Sequence, residues 1–119
     1  MEVKRVNYEY DQNGRYTPEN VIKGSPSAMT NNVYTDKTEN FHAGSWFATP
    51  GIWSFEQKTE EFCYLIEGEV KLTNSEGKEF TFKAGEGLVI PSGFKGTWET
   101  VKPIKKVYAV YERKIESKL

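Results

Sequence analysis

Glu61 lies four residues after Gln57 and two before Cys63, in a stretch dense with aromatic and aliphatic neighbours (Trp53, Phe55, Phe62, Tyr64, Leu65, Ile66). Side chains of an extended strand alternate between its faces, so Glu61 and Cys63 share one face. A carboxylate walled by Trp and Phe loses hydration and needs a cation or several donors to offset that loss. Glu61 is therefore a candidate acid/base group, or the polar anchor for a ligand amine or hydroxyl. The plainer alternative is a structural bond to Gln57 or to a tyrosine hydroxyl. Cys63 would need a basic partner to act as a nucleophile, and none is evident beside it, so it reads as a small buried apolar residue. Glu60 and Glu61 are adjacent and face opposite ways, which rules out a carboxylate dyad and leaves Glu60 solvated. His42, the single histidine of the chain, precedes the run leading to Trp46. It reads either as a residue at the mouth of the fold or as a surface residue. The basic run Lys102-Pro103-Ile104-Lys105-Lys106 reads as a solvated turn, with Pro103 marking a strand break or edge.

These groups need a scaffold of short strands. From Val33 onward, runs of β-branched and aromatic residues alternate with turn residues, which predicts strands near 33–37, 44–49, 52–57, 61–67, 69–74, 78–83, 87–90, 96–101 and 104–112. Thr49-Pro50-Gly51 marks a corner, and Asn74-Ser75-Glu76-Gly77 a four-residue hairpin loop. No stretch sustains a 3.6-residue apolar period. Such a chain is expected to be all-β, a sandwich or jelly roll. Residues 1–32 are polar and interrupted by Gly14, Pro18, Gly24 and Pro26. They are expected to form an N-terminal arm with one short strand over Val3 to Tyr10, packed on the barrel or on a partner subunit. Residues 33–112 form the barrel, and 113–119 a charged tail that frays.

Composition narrows the function classes. With 37% hydrophobic and 28% charged residues, the chain reads as a globular domain rather than a disordered one. A formal net charge of -1 gives no reason to expect nucleic acid or an anionic membrane as partner. No apolar stretch approaches the roughly 20 residues that span a bilayer. Neither a secretion signal nor a possible internal disulfide is evident, so a cytoplasmic location is expected. Three Trp, seven Tyr and seven Phe supply core area or the wall of a cavity.

Two blocks give a more specific signal: Glu61-Phe62-Cys63-Tyr64-Leu65-Ile66-Glu67-Gly68 and Gly85-Glu86-Gly87-Leu88-Val89-Ile90-Pro91-Ser92-Gly93. Glu61-x6-Gly68 resembles the end of the first cupin motif, and Gly85-x5-Pro91-x-Gly93 the start of the second. Ala48-Thr49-Pro50-Gly51, Ile90-Pro91-Ser92-Gly93-Phe94 and Gly96-Thr97-Trp98-Glu99 are similar to small cupins of the ureidoglycine-aminohydrolase and ethanolamine-utilisation branch. The resemblance spans about residues 33–111 and implies a single jelly-roll barrel. In the family pattern, histidines occupy the positions of Phe55, Gln57 and Gly96 here, and asparagine that of Thr100; of the ligand positions only the carboxylate, Glu61, is retained. One carboxylate and one amide make a poor site for Fe, Mn or Zn, so no metal and no other cofactor is expected.

If the motif positions point into the barrel, alternation brings Trp53, Phe55, Gln57, Glu61, Cys63 and Trp98 into its lumen, with Trp46 at the mouth. Gly96 in place of a histidine would leave space for a ligand or a shifted aromatic. The rings either wall a ligand cavity or simply fill the barrel as its core. Three functions stay open: a metal-independent cupin binding a small polar metabolite; a small enzyme (lyase, isomerase or amidohydrolase-like) with Glu61 as acid/base and Tyr64 or Tyr108 as proton carrier; and a structural domain with a filled lumen. A homodimer, with the arm crossing between subunits, is the expected assembly.

Overall fold

The computed structural model describes residues 1–113, so the charged tail lies outside the described residues from residue 114 onward. Eight strands follow one 3-10 turn (Gln12–Gly14): β1 (Val21–Lys23), β2 (Ala28–Thr35), β3 (Phe41–Ala48), β4 (Gly51–Glu56), β5 (Glu60–Asn74), β6 (Glu79–Lys83), β7 (Gly87–Ile90) and β8 (Lys95–Tyr111). All pairings are antiparallel. The sheet runs β1-β4-β8-β3-β2, and β5 joins it through β8 while also pairing β6 and β7. Among the described residues no helix is long and apolar enough to cross a membrane.

The long strands β5 and β8 form the spine. β8 pairs β4 through Lys95–Thr100 and β3 through Ile104–Tyr111, with β5 on its other edge along both halves. The breaks expected at 68 and at 102–103 are bends within continuous strands, not ends. The β5–β8 register shifts between Leu65 and Val70, opposite Pro103. Pro103 cannot donate to a ladder, so an irregularity there is the natural place for it. The bulge also reverses the phase of β5: Glu61, Cys63 and Leu65 are buried before it, and Val70 and Leu72 after it. The sheet thereby curls while apolar residues on both sides of the bend still face one interior.

That interior contains Leu65, Val70, Leu72, Leu88, Ile90 and Ile104 together with Trp53 and Trp98. The N-terminal region departs from expectation. No strand forms over Val3 to Tyr10, whereas Val21–Lys23 and Ala28–Thr35 do pair into the sheet. The segment before them lies on the barrel's own outer face. Ser45 Oγ, on the outward side of β3, donates to the Asn7 carbonyl (2.6 Å), and the Tyr10 ring packs on Phe47 with centroids 6.2 Å apart. That cover explains why an outward serine is fully buried.

Candidate functional site

Cross-strand pairing assembles the site. Trp53 on β4 is opposite Trp98 on β8, and Trp46 on β3 is opposite Lys106 on β8. Trp53 and Trp98 stack with ring centroids 6.0 Å apart and 22° between planes. Trp46 meets Trp98 edge-on at 5.3 Å and 86°. Each pyrrole N–H of two of these rings is satisfied: Trp98 Nε1 donates to Thr100 Oγ1 (2.9 Å) and Trp46 Nε1 to the Tyr16 hydroxyl (2.8 Å). Tyr16 is itself fixed by paired backbone bonds to Ala28. The rings leave a cavity of about 140 Å³, completed by Phe55, Gln57, Glu61, Ile90 and Lys106. It shares Trp46, Trp53 and Phe55 with an outer recess of about 420 Å³ whose rim includes Tyr16, Glu19 and Lys58.

The polar floor is a buried ion pair. Lys106 Nζ donates to Glu61 Oε2 at 2.8 Å, and both side chains are about nine-tenths buried. Gln57 Nε2 donates to Glu61 Oε1 (3.1 Å) and to Thr59 Oγ1 (3.0 Å). The ammonium also lies over two rings, 4.6 Å from the Trp46 centroid and 4.9 Å from that of Trp98. Burial pulls the Lys106 ammonium down, but the Glu61 carboxylate beside it wins and holds it above the usual lysine value. Gln57 is held by the second motif block: its N–H donates to the Phe94 carbonyl and its carbonyl accepts from Gly93 N, both at 2.8 Å.

Of the residues singled out from sequence, Trp46, Trp53, Phe55, Gln57, Glu61 and Trp98 line this one cavity. Cys63 is fully buried but behind the wall. A basic group does lie near it, contrary to expectation, in Lys106. Burial nonetheless pushes the thiol up to about 11 against the pull of that ammonium. His42 is bonded through Nδ1 to Thr35 Oγ1 (2.8 Å) and lines none of this cavity. Glu60 faces outward, where its carboxylate accepts from Ser92 N. Tyr64 faces outward, and the Tyr108 hydroxyl donates to Asn32 Oδ1 (2.8 Å), so neither is hydrogen-bonded to Glu61.

Two expectations are corrected. The basic run at 102–106 is not a solvated turn: Lys106 continues the inward phase of Trp98, Thr100 and Ile104, and is 7% exposed. Nor does Gly96 leave room for a ligand. A Cβ there would lie 1.9 Å from the Thr73 carbonyl oxygen, so the backbone of β5 fills that space. The residues present do not fit a transition metal. Its positions are Phe55, Gln57, Glu61 and Gly96; the last cannot bear any side chain, and the one carboxylate is already neutralised by an ammonium.

Cys63 contributes to the dependence of stability on alkaline pH. Its ordinary value of 9.0 is raised to about 11 in the folded chain. As pH climbs, the unfolded chain releases the proton first. This contribution is therefore intact below about pH 9 and lost as pH rises to about 11. At ~1.4 kcal/mol per pH unit the loss approaches about 3 kcal/mol. Urea titrations between these limits should show a steeper fall for the native chain than for Cys63→Ala; equal slopes would remove Cys63 as the cause.

A family model described as the EutQ-like cupin domain matches residues 35–108. No curated protein matches the chain. Among solved structures, the EutQ protein of Clostridium difficile superposes with a TM-score of 0.74 at 19% identity, covering 88% of this chain and 81% of that one. A DUF861-family protein of unknown function from Pseudomonas syringae pv. tomato gives 0.72 at 25% identity, over 92% of this chain and 45% of that one. A DUF861-family protein from Thermotoga maritima gives 0.53 at 28% identity, over 54% and 73% respectively.

Proposed function

The chain belongs to the EutQ-like cupin domain family, and we propose that its barrel binds a small polar molecule in the tryptophan-walled lumen without a metal. The observation that carries this reading is the combination at one place of an aromatic cavity of about 140 Å³ with a floor of Lys106, Glu61 and Gln57. Fully packed cores leave few voids larger than a water molecule, and polar groups in small-molecule sites are few and convergent. An apolar cavity of ~150 Å³ holds a molecule the size of benzene, which sets the scale of the group that enters here. The outer recess of about 420 Å³ offers space for the remainder of a larger ligand.

Glu61 serves in this reading as a fixed anchor, because both carboxylate oxygens already accept strong donors. A fragment screen read by the indole N–H resonances of Trp53 and Trp98 tests the proposal. Ligands that shift these signals should bind at least about tenfold more weakly to Trp53→Ala, since burying a ring against a ligand contributes well over ~1.4 kcal/mol. Hits whose affinity is unchanged by Trp53→Ala would place binding elsewhere and defeat the reading.

A further inference from the structure

The lumen contains a cation of its own. An aromatic box with a carboxylate at its floor is the standard means of holding an ammonium ion or, with more oxygen and nitrogen donors, a metal. Here both features are occupied from within the chain. Lys106 Nζ is 2.8 Å from Glu61 Oε2 and lies over the faces of Trp46 and Trp98 at 4.6 and 4.9 Å. We propose that Lys106 is the resident cation of the lumen, so that the site rejects metal ions and amines and takes neutral molecules bearing a hydrogen-bond-accepting oxygen. The ligand half of this inference rests on the lumen being a binding site; the cation half does not.

Three features favour that class of ligand. An ammonium has three N–H donors, and among the described residues only Glu61 accepts one of them. An oxygen lone pair entering the cavity would take another. Lys106 and Glu61 together carry no net charge, so a charged ligand would leave its hydration without a compensating ion. A second cation would share the ring faces with Lys106 and meet its repulsion at low dielectric. Nor can the cavity be turned back to metal binding by one change, since the β5 backbone occupies the place of a side chain at Gly96.

Lys106→Met keeps the length of the side chain and removes its charge, leaving Glu61 and two ring faces free for a small amine. Titrations of the native protein and Lys106→Met with methylammonium, acetamide and Zn²⁺ should therefore separate. With Trp53 and Trp98 indole N–H shifts as readout, methylammonium should bind the variant at least about tenfold more tightly than the native protein. Acetamide should show the opposite preference, by a similar factor, through loss of a charge-assisted hydrogen bond. Zn²⁺ should leave the native signals unmoved. Lys106→Gln gives the same comparison where Lys106→Met does not fold. Native protein that takes methylammonium as tightly as the variant, or a variant that ignores it, overturns the resident cation. A gain of methylammonium with no acetamide binding to native protein upholds the resident cation and defeats the neutral oxygen ligand. Acetamide bound equally by both proteins overturns the inference and leaves the lumen standing as a binding site.

Discussion

Glu61→Leu should destabilise the protein by about 3–5 kcal/mol, a large share of the roughly 5–15 kcal/mol available to a domain of this size. The cause is the ammonium left behind. Lys106 is 7% exposed, and among the described residues the one hydrogen-bond acceptor for its ammonium is Glu61. Removing the acid strands a charge in a low-dielectric pocket, whereas removing both partners does not. Glu61→Leu/Lys106→Met should accordingly recover most of the loss, because burying an ion pair rarely gains more than apolar packing of the same volume. The deficit of Glu61→Leu should also shrink as pH rises, because a stranded ammonium escapes by losing its proton. Urea unfolding of the four proteins at several pH values measures all of this. A Glu61→Leu variant within about 1 kcal/mol of native, or a double variant no better than the worse single, would mean the pair is not the buried unit described.

Most of the barrel was legible because its signals are local. Period-two alternation and turn residues set β3, β4, β6 and β7 within a few residues, and the motif glycines and prolines gave the jelly-roll class. Alternation also gathered Trp53, Phe55, Gln57, Glu61 and Trp98 on one interior, since a strand's facing is fixed once one residue is placed. Two things were hidden because local composition points the wrong way for both. Lys106 sits in a basic run beside a proline, the composition of an exposed turn. Only by carrying the phase of Trp98 and Thr100 straight across Pro103 does Lys106 fall inward with Ile104. The carboxylate itself held the clue: a buried Glu61 without a metal requires a cation, and 106 is the inward lysine in reach. Gly96 was misread because absence of a side chain suggests space, yet the glycine is there to let the Thr73 backbone approach. β1 was missed because it is only three residues long, and β2 begins ahead of the strand expected near 33–37 because its first half includes a polar cluster. Thr30, Asn31 and Asn32 are strand residues through register with Trp46, Ser45 and Gly44, not through propensity.

The bend that lets β5 and β8 curl together should be the least tolerant point of the backbone. Gly68 has φ +94°, a region that L side chains rarely enter, and a Cβ on it would lie 2.1 Å from the Pro103 carbonyl oxygen. A backbone atom in the middle of a paired strand cannot swing aside as a flexible side chain can. Gly68→Ala therefore combines backbone strain of about 1–3 kcal/mol with overpacking of about 1–3 kcal/mol, and should cost about 3–5 kcal/mol in all. Gly77 supplies the control. Its φ of +84° is similar, but nothing lies within 4 Å of its ideal Cβ. Gly77→Ala should carry the strain alone, about 1–2 kcal/mol. The bend also fixes the phase that turns Glu61 and Cys63 inward on one side and Val70 and Leu72 inward on the other. Displacing it should therefore disturb the tryptophan cluster, seen as altered near-ultraviolet circular dichroism in Gly68→Ala and unchanged spectra in Gly77→Ala. Equal stability losses for the two variants would show that the contact with Pro103 contributes nothing, and that the corner of the barrel is held by turn geometry instead.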